Sequence, residues 1–429
     1  MGTEITLRIE NITLTYSKND IGDDHSSIFQ EKDHMPVTSD QINYDYFKEA
    51  GKSPGHMEAA LVRSLKEIKP RLKLLGFNLQ HAEDEYNKKI KEADDNLIYE
   101  EIDFNKKERP TFTEFCKLIT QRPVSSFSDE YIDYEDQEKE MYKIRGRLTN
   151  CKFKSLPSFE RAEADSYSES SYFSYLIGFI DPYSILIILA ENEENLEARV
   201  IWQYGPLVYA GWASKSDFIS GSNRNEKFLL LTEGKSDTKI IKHALENLYP
   251  EIYDFFNFID LDINGINHPF FKASELAKLV KSLVTMDIQN KTVAIFDNDA
   301  EGNEQYETIN TDKLPENIQI MLLPKLSEFN NFPTIGPDGE SYGDINGKAV
   351  AIECFLDLDS GEEPKAKVRW NSYKKKVGLY QGALDSKETY SNKFCKQTRE
   401  SLMDGSYDTR KIKILIDALL EKCYLISKQ

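Results

Sequence analysis

The sequence predicts an α/β protein whose centre is a Rossmann-like, doubly wound parallel sheet with flanking helices. Three observations predict it. Short apolar runs alternate with helix-periodic stretches between residues 226 and 325. Two of those runs end in acids, Phe228-Leu229-Leu230-Leu231-Thr232-Glu233 and Val293-Ala294-Ile295-Phe296-Asp297-Asn298-Asp299. Each is followed by a polar, glycine-containing turn, Gly234-Lys235-Ser236-Asp237 and Ala300-Glu301-Gly302. In an open parallel sheet the strand ends converge on one crevice, and ligands bind there.

The elements follow in order. Residues 1–55 read as a β hairpin and a polar loop, with Ile5, Leu7 and Ile9 alternating as on a strand. Residues 57–120 read as helical. Gly76 is placed to end one helix, and Thr111-Phe112-Thr113-Glu114 has capping-box spacing before Phe115 and Leu118. Residues 121–165 are acidic and irregular, and 170–215 read as an apolar, aromatic core piece. Ser216–Lys227 is the best linker. Then come a strand at Phe228–Thr232 and a helix from Ser236 to about Leu248, with Ile241, Leu245 and Leu248 on one face. An apolar run Phe255–Leu261, a helix from about Lys272 to Met286, a strand Val293–Phe296, a polar helix from Asp299 and a strand Ile318–Leu323 complete the alternation. Pro333, Gly336, Pro337, Gly339, Gly343 and Gly347 mark Asn330–Lys348 as a long loop. The remainder reads as mostly helical. The predicted domains are therefore a mixed, largely helical region 1–220, a catalytic α/β domain 226–325, and a helical C-terminal extension 326–429.

The acids suggest a reaction. Asp297 and Asp299 are two residues apart and share a face if the strand continues. Like charges 4 Å apart repel by about 4 kcal/mol at an effective dielectric near 20. A hard divalent cation removes that repulsion and prefers oxygen ligands. Such an ion can orient an attacking water and neutralise a phosphate leaving group. Glu233, Asp297 and Asp299 are the candidate catalytic and metal-binding residues, with Mg²⁺ as cofactor and Mn²⁺ as substitute. Glu233 fits either the ligand or the base role. Glu353 interrupts the apolar segment Ala349–Leu356 and is a further candidate ligand, against the alternative of an exposed face of an amphipathic helix. Asp260 and Asp262 are weighed between a metal role and a polar turn. An EF-hand is disfavoured at both acid clusters, because the twelfth positions are Thr308 and Phe271 rather than Glu. No Walker A spacing occurs.

Candidate nucleic-acid contacts are Lys235, the cluster Lys365, Lys367, Arg369, Lys374, Lys375 and Lys376 around Trp370 and Tyr373, and Lys387. Cations neutralise phosphates and aromatics stack on splayed bases; the alternative is a solvated face. Ser236 or Asp237 can cap the helix that follows.

The pattern Glu-Gly-Lys-Ser-Asp after one strand and Asp-Asn-Asp after a later one resembles the Toprim domain of topoisomerases, bacterial primases and nucleases related to the overcoming-lysogenization-defect family. The resemblance covers roughly residues 226–325 and maps the family acids onto Glu233, Asp297 and Asp299. It implies metal-dependent phosphodiester chemistry, with later acids such as Glu353 serving a second metal. Met1-Gly2-Thr3-Glu4, Arg71-Leu72-Lys73-Leu74-Leu75-Gly76-Phe77 and Gly211-Trp212 resemble the N-terminal region of HEPN/Toprim-associated proteins, bacterial proteins often placed in antiphage defence. An active HEPN ribonuclease needs Arg and His five to seven residues apart. Arg71 and His81 are ten apart, so this region is expected to scaffold, dimerise or sense.

Composition sets limits. A formal charge of −19 argues against nucleic-acid binding through bulk charge, so any contact must be a local patch. The acids between Asp129 and Glu140 read as a solvated linker. Five scattered cysteines without Cys-x-x-Cys spacing suggest neither zinc nor a disulfide framework, and fit a reducing cytoplasm. No signal peptide is read at the start, and the match of Met1-Gly2…Thr6 to a myristoylation pattern is taken as chance. Leu176–Ala190 is broken by Asp181-Pro182 and is too short to span a bilayer.

The sequence therefore predicts a cytoplasmic, Mg²⁺-dependent nuclease acting on DNA or RNA, possible partners being a regulatory protein and a second copy. The alternatives are a non-catalytic nucleic-acid-binding or assembly subunit and a primase-like nucleotidyl transferase. A topoisomerase fits least.

Overall fold

The computed structural model describes residues 2–99, 109–133, 135, 137–258, 272–359, 365–375 and 378–428. The chain divides into two compact units, Met1–Ser222 and Asn223–Gln429.

The first unit is built on a five-stranded antiparallel sheet. Its strands are β1 (Glu4–Ile9), β2 (Ile12–Lys18), β3 (His34–Pro36), β4 (Ala59–Ser64) and β5 (Arg199–Gln203). The spatial order is β2-β1-β5-β4-β3. The expected hairpin β1–β2 is present, but it is one edge of a larger sheet. β4 lies inside the stretch read as helical, and β5 inside the stretch read only as a core piece. Both are short, strongly apolar runs, which periodicity alone cannot separate from buried helix. Helices Leu65–Leu74, Phe112–Thr120, Glu169–Ile177 and Pro182–Leu189 supply much of the remaining core, where Leu72, Phe115, Phe173, Leu186 and Trp202 are buried.

Local signals are read correctly at several ends. Thr111 and Glu114 form a reciprocal capping box. Gly76 stands at φ +103 just past helix Leu65–Leu74, and Phe77 N–H returns to Leu72 O at 2.9 Å, closing the helix as a left-handed glycine permits. Arg71 is fully buried. Its guanidinium donates to Ser27 O at 3.0 and 2.7 Å and to Phe29 O at 3.0 Å, which is a structural role. Arg71→Ala is expected to destabilise this unit by at least about 3 kcal/mol, because charged hydrogen bonds are lost and buried carbonyls are left unpaired. Urea denaturation checks it.

The second unit centres on a four-stranded, all-parallel sheet of β6 (Phe228–Thr232), β7 (Phe256–Phe258), β8 (Lys291–Phe296) and β10 (Ile318–Leu322), in the order β10-β8-β6-β7. Between β8 and β10 runs the two-residue β9 (Asn298–Asp299). Helix Ala273–Thr285 sets Leu276, Ala277 and Val280 against Leu231, Ala294, Phe296 and Ile320. The alternate residues Leu230, Val293 and Ile295 are buried too, so both faces are covered. Helices Lys235–Leu248 and Arg410–Ser427 pack on each other, the first also against β6 and the second against β8 and β10. The elements of this sheet lie where the sequence places them, although residues 259–271, with Asp260 and Asp262, fall outside the described residues.

The C-terminal region corrects the sequence reading. A second sheet in the order β12-β11-β14-β15 comprises β11 (Phe332–Gly336), β12 (Gly339–Gly343), β14 (Val368–Lys374) and β15 (Leu379–Leu384). The short β13 (Ala349–Val350) pairs with β9. The expected long loop is thus largely a hairpin turned at Pro337-Asp338, with Gly336 opposite Gly339. Pro-Asp-Gly is the chemistry of a tight turn, and counting prolines and glycines hid it. The basic, aromatic segment is a strand rather than a helix, because Val368 and Trp370 alternate with polar residues at period two.

Among the described residues no single helix is long and apolar enough to cross a membrane. The apolar helices Glu169–Ile177 and Pro182–Leu189 meet at a 113° bend, where Asp181 caps the second by accepting from Tyr183 N–H at 2.7 Å.

Candidate active site

β6 and β8 are neighbours in parallel register, with Thr232 opposite Ile295. Their C-terminal ends therefore bring Glu233 and Asp297 together, Asp297 standing one residue beyond the position across from Glu233. The Asp297 backbone N–H donates to Glu233 Oε1 at 2.8 Å. After Glu233 the chain turns into helix Lys235–Leu248. Asp237 Oδ2 accepts the Gly234 N–H at 3.0 Å, and Thr232 Oγ1 donates to Gly234 O at 3.0 Å.

Beyond Asp297, β9 pairs antiparallel with β13 and places Asp299 opposite Ala349. Asp299 caps helix Ala300–Glu307, its Oδ1 accepting the Gly302 N–H at 2.7 Å. Its Oδ2 accepts the side-chain amide of Gln381, from β15. Asn298, between the two aspartates, is fully buried, and its Nδ2 has no hydrogen-bond partner among the described residues. Gly302 is required by packing rather than by torsion, because a Cβ there would collide with the Asp297 carbonyl. Gly302→Ala is expected to push helix Ala300–Glu307 off the strand end and cost about 1–3 kcal/mol, readable by thermal denaturation. Gly234 has open space around it and an extended φ of −157°, so no sharp turn depends on its being glycine.

Glu353 joins this group. It sits in the short 3-10 turn Ile352–Phe355, only 4% exposed, not on the exposed face of a long helix. Ser236 Oγ donates to its Oε1 at 2.9 Å, and Lys387 Nζ stands 3.8 Å from its Oε2. Lys387 opens helix Lys387–Phe394 behind Ser386, whose φ is +58°. A cation at a helix N-terminus opposes the helix dipole, so the acids in front of it account for its position. Lys387 is accordingly part of the acid cluster.

The electrostatics follow from crowding. Burial pushes Glu233 up to about 8, with Asp299, Asp237 and Glu301 adding repulsion against the Asp297 N–H that lowers it. Burial and then Glu353 push Asp237 up to about 7, while Lys387 opposes. Asp297 is held well above the usual carboxylate range by burial, Glu233 and Asp237. Asp299 is raised by burial, and its hydrogen bonds to Gly302 and Gln381 pull the other way. Burial alone would lower the Lys387 ammonium; Asp297 and Glu353 raise it instead. The donor set is all oxygen and short of positive charge, which fits a hard divalent cation. Among the described residues, no three His, Cys, Asp or Glu side chains converge closely enough to cage an ion in the rotamers seen. Glu233 and Asp299 are turned to the backbone and amide donors already named.

The remaining sequence candidates scatter. Lys235 is exposed at the first turn of its helix. On β14, Tyr373 is exposed and packs edge-on against Tyr380 at 5.0 Å, and Trp370 is half-buried. Three of the cations face acids: Lys367 with Glu340, Arg369 with Asp385 at 2.9 Å, and Lys374 with Glu301 at 3.1 Å. Lys365 and Lys375 are exposed, and Lys376 lies outside the described residues. Asp237 was read only as a cap. Its spacing gave no further signal, because Glu233 stands before the helix begins and the helical i,i+4 relation does not reach it. Gln381 and Ser236 gave none, because their partners are more than eighty residues away.

A family model described as HEPN/Toprim N-terminal domain 1 matches residues 1–226. No curated protein and no solved structure matches the chain.

Proposed function

We propose, from the premise that the chain belongs to the HEPN/Toprim N-terminal domain 1 family, that its second unit is a divalent-metal-dependent nuclease hydrolysing phosphodiester bonds of DNA or RNA. The family is a Toprim-associated one of nuclease type. The observation that carries the proposal is the acid cluster at the ends of β6 and β8, where burial first and neighbouring acids second raise the pKa of Glu233, Asp237, Asp297 and Asp299, with Lys387 as the cation facing them.

Glu233, Asp297 and Asp299 would hold Mg²⁺ or Mn²⁺, with Glu353 and Asp237 available on the Lys387 side. Such an ion supplies charge neutralisation at the phosphate and orients water. The chain's own residues do the rest. Lys387 offsets the carboxylate charge and can meet a phosphate oxygen as a point charge. Glu233, protonated to about pH 8 without an ion, gives up its proton when its carboxylate becomes a ligand. Ion binding at pH 7 is therefore expected to release on the order of one proton or more, measurable by titration calorimetry in two buffers of different ionisation enthalpy; uptake or no exchange would count against Glu233 as a ligand.

Tyr373, Tyr380, Trp370 and Lys375 support a polymer contact on the β14–β15 hairpin, where stacking and local charge combine. The family context supports a bacterial antiphage effector, working in the cytoplasm and gated by a partner or a second copy through the first unit. The test incubates the pure protein with plasmid, single-stranded DNA and tRNA, with and without Mg²⁺ or Mn²⁺, beside Asp297→Ala/Asp299→Ala. Metal-dependent cutting lost in the double mutant supports the reading. Cutting that survives the mutation overturns it, and incorporation of labelled nucleoside triphosphates in its place would mark a nucleotidyl transferase.

A further inference from the structure

We infer that Gln381 is the positioning residue of the metal site: it orients Asp299 as a ligand and straps the β14–β15 hairpin to the Asp297-Asn298-Asp299 turn. The inference rests on the metal-site reading above.

Three contacts carry it. The Gln381 amide donates from Nε2 to Asp299 Oδ2, while its Oε1 accepts the Glu301 N–H at 3.0 Å. The two ends of that amide cannot be exchanged, because one faces a carboxylate and the other a backbone donor. Lys374, on the neighbouring strand, pairs with the Glu301 carboxylate at 3.1 Å. The Gly382 N–H donates to Lys348 O at 3.2 Å, and Lys348 itself bridges to Asp299. The hairpin is thus tied to Asp299, to the helix that follows it and to Lys348 by a side-chain amide, an ion pair and a backbone bond.

The register is specific to this arrangement. β14 and β15 slip by a bulge between Trp370 and Ser372, which sets Ser372 opposite Gln381. Bulges re-aim side chains beside functional sites, and here the strand presents an amide to an acid more than eighty residues earlier in the chain. Asp299 is held from both sides, Oδ1 by Gly302 and Oδ2 by Gln381. Each carboxylate oxygen has two lone pairs, so each can still face an ion. Outer-sphere partners of this kind fix the orientation of a ligand, and their loss typically weakens metal binding about 10–100-fold.

The experiment measures Mn²⁺ affinity by titration calorimetry, and the melting temperature of the ion-free protein, for the wild type, Gln381→Met, Gln381→Leu, Lys374→Met and Asp299→Ala. Gln381→Met keeps the length and packing but loses the amide; Gln381→Leu is shorter, loses the amide without adding charge, and serves if the methionine variant fails to fold. Both are expected to weaken Mn²⁺ binding about 10–100-fold at a nearly unchanged melting temperature. Lys374→Met, which loosens the same hairpin without touching Asp299, is expected to stay within about threefold of wild type. Gln381 variants that bind within that margin overturn the inference and leave the metal site standing. Wild type and Asp299→Ala binding Mn²⁺ equally would sink the metal site, and the inference with it.

Discussion

Asp297→Asn is expected to lower divalent-dependent cleavage by at least about 10³-fold while raising the melting temperature of the ion-free protein. The two effects have one cause. Asp297 sits at the end of β8 among acids that hold its pKa well above the ordinary range through burial, Glu233 and Asp237. A neutral amide of the same shape removes the repulsion and with it the ligand charge. Strain of this kind is stored at functional sites and is relieved by mutations that abolish function. In a unit of this size each kcal/mol relieved moves the midpoint by about 2–4 °C. Differential scanning fluorimetry at pH 8 in chelator, beside a nuclease assay, reads both. A variant that loses activity and also melts lower would show that Asp297 serves the fold rather than an ion.

Raising the pH from about 5 to 8 is expected to destabilise the ion-free protein, and Mg²⁺ to reverse the loss. Glu233, Asp237, Asp297 and Asp299 all have pKa values raised in the folded state. The folded protein therefore binds more protons than the unfolded chain between the two sets of values, and stability falls as pH rises. Their contribution is fully present below the usual carboxylate range. It is lost progressively through about 7, where Asp237 titrates, and about 8, where Glu233 does. Lys387, raised by its acidic neighbours, keeps its charge across the window and limits the fall. An ion bound only by the folded state, at 100 times its dissociation constant, adds about 2.7 kcal/mol. Melting curves at pH 5, 6, 7 and 8, with chelator and with Mg²⁺, decide it. A flat profile in chelator would mean that the acids are not crowded in solution.

The parallel sheet was legible because its strands are short, apolar and separated by helices of clear period, and because the candidate acids Glu233 and Asp297 directly follow two of them. Proximity of Glu233 to Asp297 follows from that alone. The rest of the site depends on distant pairing. Gln381 reaches Asp299 only through the β14–β15 register, and Glu353 meets Ser236 and Lys387 only once the C-terminal region has folded back. The hairpins of that region were missed because a Pro-Asp-Gly turn was counted as loop composition and a period-two pattern was overshadowed by its lysines. In the first unit, β4 and β5 were hidden because their apolar runs, Ala59–Val62 and Val200–Trp202, are short and do not alternate.

The position of β5 has a consequence for biosynthesis. It fills the middle of the first sheet, pairing Ile201 with both Arg8 and Val62. A nascent chain emerging from the ribosome holds β1–β4 long before their central partner appears, and the sheet closes only after about two hundred residues have been made. Until then β1 and β4 expose bare edges that invite pairing with other chains. N-terminal fragments ending before Arg199 should therefore aggregate when expressed, whereas one ending at Ser222 should remain dispersed, and centrifugation of the two lysates would tell them apart.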